Sequence, residues 1–420
     1  MRLSVLSRTA YMVRFQGNRH TWENLYRNVS PTIQYGERFW YVGDYLVVLC
    51  DHRHDGQPRS LKKWVKGPAL CFYRKVDKLF QHIGYFVLPP EFADVASPGF
   101  VEIEDQYVVV GRKNLSAGGG IHVTWYQIDL AQLNRFYFHG LSESKFHFMA
   151  ESLDDLPAQF VIHATDILIS NAKPAIASSS LRNNRLVFCT SAGDIYTQEV
   201  LNGTISNPSM VVLPAGLEGR LSPVLHNTGD YILIAGRSRL GAPVIYQFSF
   251  TGDTPELTGT INESANFITS SGKTLYLANR NVLKTYDLDF LDAIGESILT
   301  NEYDIRQAIF LDTDIMVLSL PQKRGSPLGG FGIYKATENR MLAVLAFTSR
   351  NFTEKDGRTK FSGTVYEYPL GPGYISPFIC RAAKDRFFAT SVLSNDKREN
   401  LRDRSWAWPT VIEVSVDGAS

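Results

Sequence analysis

A short run of potential metal ligands, Asp51-His52-Arg53-His54-Asp55-Gly56, contains the only histidine cluster in this 420-residue chain. On a continued strand His52 and His54 would share one side, with two carboxylates beside them as ligands or ligand partners. The interposed Arg53 and the Gly-Gln-Pro that follows read instead as a solvated loop, so no metal is expected. Gly118-Gly119-Gly120 and Gly329-Gly330-Phe331-Gly332 are glycine-rich, but neither opens a helix after a strand, which a phosphate cradle needs. Asp312-Thr313-Asp314 lacks the glycine and the terminal glutamate of a calcium loop. Glu102, Glu104, Asp166 and Asp304 are carboxylates of the kind a glycosidase gathers around one site, yet no spacing pairs them. No nucleophile elbow, zinc-protease helix, P-loop or kinase set occurs. Neither a catalytic centre nor a cofactor is expected.

The cysteines Cys50, Cys71, Cys189 and Cys380 stand singly in apolar runs, without CxxC or Cys/His spacing. They read as reduced, buried and small apolar residues, with a Cys50–Cys71 disulfide between neighbouring strands left open. Trp406-Ala407-Trp408 places two indoles on one side of an extended segment, after Lys397-Arg398 and Arg402-Asp403-Arg404. Such aromatics stack on sugars or bases, anchor a protein interface, or pack in a core.

The elements that must carry these residues recur. Seven strand pairs with tight polar turns have second strands beginning near Tyr45, Tyr107, Leu186, Tyr231, Leu275, Ile315 and Phe387. Six are followed by a strand bearing Tyr73, Tyr126, Tyr196, Tyr246, Tyr286 or Tyr334; the seventh ends with Val411-Ile412-Glu413-Val414 and has none. Gly43-Asp44, Asp105-Gln106, Asn183-Asn184, Gly229-Asp230, Gly272-Lys273, Asp312-Thr313-Asp314 and Lys384-Asp385 supply turn chemistry. A unit recurring every ~40 to 80 residues with about four strands predicts an all-β, seven-bladed β-propeller. It is read as one domain over residues 1–420, with a closing strand at Tyr11–Phe15 that joins the last blade and hides two edges.

Two stretches exceed what a blade needs and are predicted as extended hairpin insertions, at about 130–172 and 341–370. The first holds Phe136, Phe138, Phe146 and Phe148; the second holds Phe347, Tyr366 and Tyr368. Long aromatic surfaces seldom stay bare on a monomer, so these hairpins are expected to assemble the chain with protein partners or copies of itself; the plainer alternative is that they fold back and thicken a blade of the same propeller.

Charge is even overall, +1 from 43 basic and 42 acidic residues, so no global field selects a polyanion. The longer connections, taken to join the third and fourth strands of each unit, nevertheless sum to about +10, leaving about −9 elsewhere. Arg53, Arg59, Lys62, Lys63, Lys66, Arg112, Lys113, Arg237, Arg239, Arg280, Lys323 and Arg324 are the candidate contacts to DNA, another polyanion or an acidic protein. Solvated loops rich in basic residues are the plainer reading of the same count.

No segment approaches the roughly 20 apolar residues of a membrane helix, so no membrane span is expected. No secretory signal peptide is read, and the chain is expected in a virion or the cytoplasm. The eroded repeats, long hairpins and basic face resemble, in outline, the tail-nozzle propeller proteins of short-tailed bacteriophages. That resemblance implies a non-enzymatic structural part of a larger assembly, in its most specific form a virion tail component in a ring below the portal. A carbohydrate-active propeller enzyme or lectin, and a cytosolic hub for acidic partners, are the competing expectations.

Overall fold

An apolar run that fills every position of a strand needs cover on both faces, and the second strand of each pair is such a run. In the computed structural model, sheets on either side provide that cover. The structure describes residues 2–10, 39–50, 69–76, 79–87, 99–113, 120–127, 149–150, 161–168, 176–190, 193–213, 224–238, 240–250, 255–298, 305, 307–320, 329–348, 364–369, 379–393 and 408–417. They form strands, turns and connecting coil, with no helix among the described residues.

Strand β1 (Arg2–Ala10) opens the chain. The first sheet follows with β2 (Phe39–Val42), β3 (Tyr45–Cys50), β4 (Ala69–Val76) and β5 (Leu79–Val87). The second holds β6 (Phe100–Glu104), β7 (Tyr107–Lys113) and β8 (Gly120–Gln127); after β9 (Met149–Ala150), β10 (Val161–Leu168) completes it. The third has β11 (Ile176–Arg182), β12 (Arg185–Thr190), β13 (Ile195–Leu201) and a divided outer strand, β14 (Thr204–Ile205) and β15 (Ser209–Val211). The fourth consists of β16 (Val224–Asn227), β17 (Tyr231–Arg237), β18 (Pro243–Ser249) and β19 (Glu256–Ile261). The fifth has β20 (Phe267–Ser271), β21 (Thr274–Asn279), β22 (Val282–Asp287) and β23 (Ala293–Ile298). The sixth runs β24 (Gln307–Phe310), β25 (Ile315–Leu320), β26 (Gly329–Lys335), β27 (Arg340–Thr348) and β28 (Thr364–Pro369). In the seventh, β29 (Ile379–Ala383), β30 (Arg386–Leu393) and β31 (Trp408–Asp417) receive β1 as the outer strand.

Turn chemistry starts each sheet where the sequence places it. Gly43, Asp105, Asn183, Asn184, Gly229 and Gly272 have φ between 50 and 98°, the left-handed values these hairpins need. Asp312 instead caps its own turn, its Oδ1 accepting from the amides of Asp314 and Ile315, both at 2.8 Å.

Cores lie between consecutive sheets. Leu186 and Phe188 pack with Phe100, Val109 and Trp125 of the second sheet, while Val187 and Cys189 pack with Ile232, Ile234 and Tyr246 of the fourth. The same two-sided burial joins fourth to fifth (Leu233 and Ile245 with Leu275 and Leu277), fifth to sixth (Tyr276 with Met316 and Tyr334), and sixth to seventh (Val317 and Phe331 with Phe387 and Val414). Full burial of one such side chain contributes about 1.5–3 kcal/mol, so no sheet is stable alone. From the second sheet to the seventh, first strands of neighbouring sheets lie side by side, and β2 of the first sheet meets β29 of the seventh; the Tyr41 ring on β2 is 4.9 Å from the Phe388 ring on β30. The molecule is all-β and propeller-like.

Closure differs in place from the sequence expectation. Arg2–Ala10 pairs with β31, Leu3 opposite Val416 and Val5 opposite Val414, whereas the predicted closing strand, Tyr11–Phe15, lies outside the described residues. The two predicted insertions also differ in make-up. Residues 130–172 contain β10, which is the second sheet's own fourth strand, and β9, which pairs parallel with β5 of the first sheet. Residues 341–370 contain most of β27, the sixth sheet's fourth strand, and β28, which pairs parallel with it. In both, the described strands thicken sheets of the same molecule.

All six tyrosines of the repeat sit on third strands. Third and fourth strands meet with a register shift in six sheets, at Phe72/Tyr73, Val161/His163, Gln247/Phe248, Thr285/Tyr286, Ile333/Tyr334 and Val5/Ser7. Such bulges add twist and turn the outer strand. The third sheet breaks its outer strand at Ser206-Asn207-Pro208 instead, where proline has no amide to offer.

Candidate interaction surface

The outer strands have a neighbour on one side only, and here the pattern of burial reverses. Met210 (57 % exposed) and Val212 (74 %) stand at the outer strand of the third sheet, Leu257 (43 %) on the fourth, and Ile294 (62 %) and Ile298 (66 %) on the fifth. Phe290 (78 %) crowns the turn that leads into β23. Scattered exposed apolar residues are ordinary, but these fall on the same outer position of three consecutive sheets.

Strand β23 is the most open of the three. Its sequence, Ala293-Ile294-Gly295-Glu296-Ser297-Ile298, is exposed at every residue but Ser297, which is held by Tyr334 and Asn339 of the sixth sheet. It ends its sheet, so its outer backbone edge has no strand partner among the described residues. It carries neither lysine nor proline, the usual blunting residues of an edge. The flanking charge is acidic. Lys284 donates to Glu263 at 2.6 Å and lies 3.7 Å from Glu296; the Glu263 hydrogen bond holds its ammonium pKa above the ordinary lysine value. Asp289 accepts from Lys273 at 2.8 Å and from the Tyr231 hydroxyl at 3.2 Å, and its carboxyl is held below the usual range chiefly by Lys273.

Of the twelve basic candidates, three have described side chains. Arg112, near the end of β7, stands opposite His122, which in turn pairs with Asp166 at 2.7 Å. Arg237 is exposed and donates to the Gly241 carbonyl at 3.3 Å. Arg280 takes a left-handed φ of 55° in the turn between β21 and β22. Lys113 is placed only as a position on β7, and Arg53, Arg59, Lys62, Lys63, Lys66, Arg239, Lys323 and Arg324 lie outside the described residues. Arg112, Lys113 and Arg237 end second strands and the other nine lie between second and third strands, not between third and fourth. Among the hairpin aromatics, Phe347 on β27 stands opposite Tyr368 on β28, and Tyr366 opposite Leu345; Phe136, Phe138, Phe146 and Phe148 lie outside the described residues.

Among the described residues the candidate carboxylates do not converge. Buried Glu102 accepts from the Ser179 hydroxyl at 2.5 Å, and Glu104 accepts from the amides of Asn183 and Asn184 at 2.9 and 2.8 Å, so both tie the second sheet to the third. Asp166 is on an outer strand, and Asp304, His52, His54 and Trp406 lie outside the described residues. Cys50 stands opposite Ala69 and Cys71 opposite Val48, a diagonal relation wider than a disulfide favours. Burial pushes the Cys380 thiol up to about 12, and the Cys189 thiol up further. A cleft of about 170 Å³ between third and fourth sheets is lined by Arg185, Glu199, Leu201, Ser209 and Phe250. Arg185 is committed there: it binds Glu199 at 2.7 Å, the Gly229 carbonyl at 2.5 Å, and the face of Phe250 at 3.6 Å.

The outer apolar residues are absent from the sequence candidates. Their only sequence signal is the lack of lysine and proline in Ala293–Ile298.

No family model matches the chain, and no curated protein matches it. Among solved structures it is similar to the computationally designed Ika8 protein, at 8 % identity and a TM-score of 0.44, over 90 % of this chain and 82 % of that one. It is also similar to a chain from a structural and mechanistic study of two prolyl endopeptidases, at 12 % identity and a TM-score of 0.46. That match spans 85 % of this chain and less than half, 45 %, of the other.

Proposed function

We propose that the chain is a single seven-bladed β-propeller over residues 1–420. It works as a non-enzymatic structural and interaction module in a larger assembly, most specifically a tail component of a short-tailed bacteriophage virion. The observation that carries this reading is the run of exposed apolar residues on the outer strands of three consecutive sheets, Met210, Val212, Leu257, Ile294 and Ile298. Apolar surface repeated at one structural position is the mark of contact with protein. Native mass spectrometry of the particle from which the chain is purified tests it. The expected result is a mass that exceeds one chain and falls when Met210 and Leu257 are changed to Lys; a lone chain in native material overturns it.

The basic connections extend the reading to a second surface. All of them span second to third strands, so in a radial array they leave from one face, where a field of one sign draws in a polyanion. Retention on heparin should drop on Arg237→Glu with Arg239→Glu, and indifference to both would remove this part.

A further inference from the structure

The outer edge of a sheet in this molecule accepts an additional strand, and it does so twice. β9 runs parallel to β5 on the first sheet, and β28 runs parallel to β27 on the sixth. Both edges are thereby covered from within the chain. β23 is the outer edge of the sheet next to the sixth, and no described strand pairs with its outer side. Resting on the reading of the chain as an interaction module, we propose that β23 is a strand-docking site for an extended segment of a partner protein, in which a lysine or arginine lies between two apolar residues at alternate positions.

The backbone supplies the affinity. An open edge presents a row of amides and carbonyls, and an incoming strand satisfies them while it removes apolar surface from water. The side chains supply the choice of partner. Along β23, Ile294, Glu296 and Ile298 alternate with the small residues Ala293, Gly295 and Ser297. Ile294 and Ile298 are 62 % and 66 % exposed, and the Glu296 side chain 52 %. A strand laid against this edge meets apolar, acidic and apolar positions in turn, and the complementary order is apolar, basic and apolar. Lys284 pairs with both Glu263 at 2.6 Å and Glu296 at 3.7 Å, and one ammonium between two carboxylates leaves a net negative charge at the site. Asp292, exposed and directly before the strand, adds negative charge, whereas Asp289 is paired with Lys273. A cation in the partner is favoured and an anion disfavoured, so charge sets specificity as well as attraction.

Capped, fluorescein-labelled peptides of Thr-Val-Thr-Lys-Thr-Val-Thr pattern, with Lys or Glu at the centre, test this against the full chain by anisotropy at low salt. The lysine peptide should bind about two- to fivefold more tightly than the glutamate peptide, the range expected of one cross-strand pair. Proline before the central lysine should abolish binding, since it removes an edge amide. Glu296→Lys should reverse the preference, and Ile298→Asp should remove binding of both. A folded Glu296→Lys chain that keeps the original preference, binding unchanged in Ile298→Asp, or no binding of any peptide overturns the proposal. So does a dimer of the purified chain that dissociates on Ile298→Asp, because a second copy would then fill the edge. Native mass tests the assembly reading separately: a lone chain with intact peptide selectivity removes the assembly and leaves the docking site.

Discussion

His226 shows how a single residue reports on the packing of sheets around it. It lies on β16, the first strand of its sheet, and contacts Ser270 of the next sheet at 2.9 Å. Burial, with the nearby Arg182 cation, pushes its pKa from 6.5 down to about 4. The folded state therefore holds it neutral while the unfolded chain takes up a proton. Its contribution is complete above pH ~6.5 and is lost as pH falls toward ~4, to the extent of at most about 3 kcal/mol. Denaturation midpoints should fall across that window, and His226→Gln should flatten the fall; an unchanged pH profile in the variant would remove this assignment. Gly111 is as tightly placed. A Cβ there would lie 2.0 Å from the Phe100 ring, itself stacked on Phe188 at 5.3 Å. Gly111→Ala should cost about 1–3 kcal/mol in urea unfolding. Cys189, fully buried with a raised pKa, should resist iodoacetamide in the native chain and react after unfolding.

Strands differ in what they are asked to hide. A second strand such as β25, Ile315-Met316-Val317-Leu318-Ser319-Leu320, is buried at every position. An outer strand has one buried side and one open edge, and its fate depends on what reaches that edge. β31 is covered by β1, a strand drawn from the opposite end of the chain. Removal of residues 2–10 should expose β31 and lower the melting temperature by ~2–5 °C in calorimetry, the effect of losing a few kcal/mol from a large domain. A truncated chain that melts with the parent would show closure to be dispensable. For β23, Ile298→Lys should raise solubility at high protein concentration without loss of stability, since the side chain is largely in solvent.

At the scale of the molecule, shared cores link consecutive sheets from the second to the seventh, and the first strands of the first and seventh sheets meet. Cooperative unfolding should follow, because each sheet draws its core from its neighbours: a single calorimetric transition is expected, and separable melting of two halves would contradict it. The sequence by itself determined the seven hairpins and the third strands, because turn chemistry and two-sided burial are written locally. Gly43, Asn183 and Asp312 need no distant partner to bend the chain, and a run such as Tyr231-Ile232-Leu233-Ile234 must be covered wherever it lies. Tertiary structure alone decided which segments are outer strands. Arg2–Ala10 becomes a strand only against β31, the parallel β9 and β28 only against β5 and β27, and the recurrent bulges only where third and fourth strands meet. The exposed edge of β23 was hidden for the same reason. Ala-Ile-Gly-Glu-Ser-Ile has the composition of a loop, and only pairing with β22 on one side, with no described strand on the other, makes it a surface.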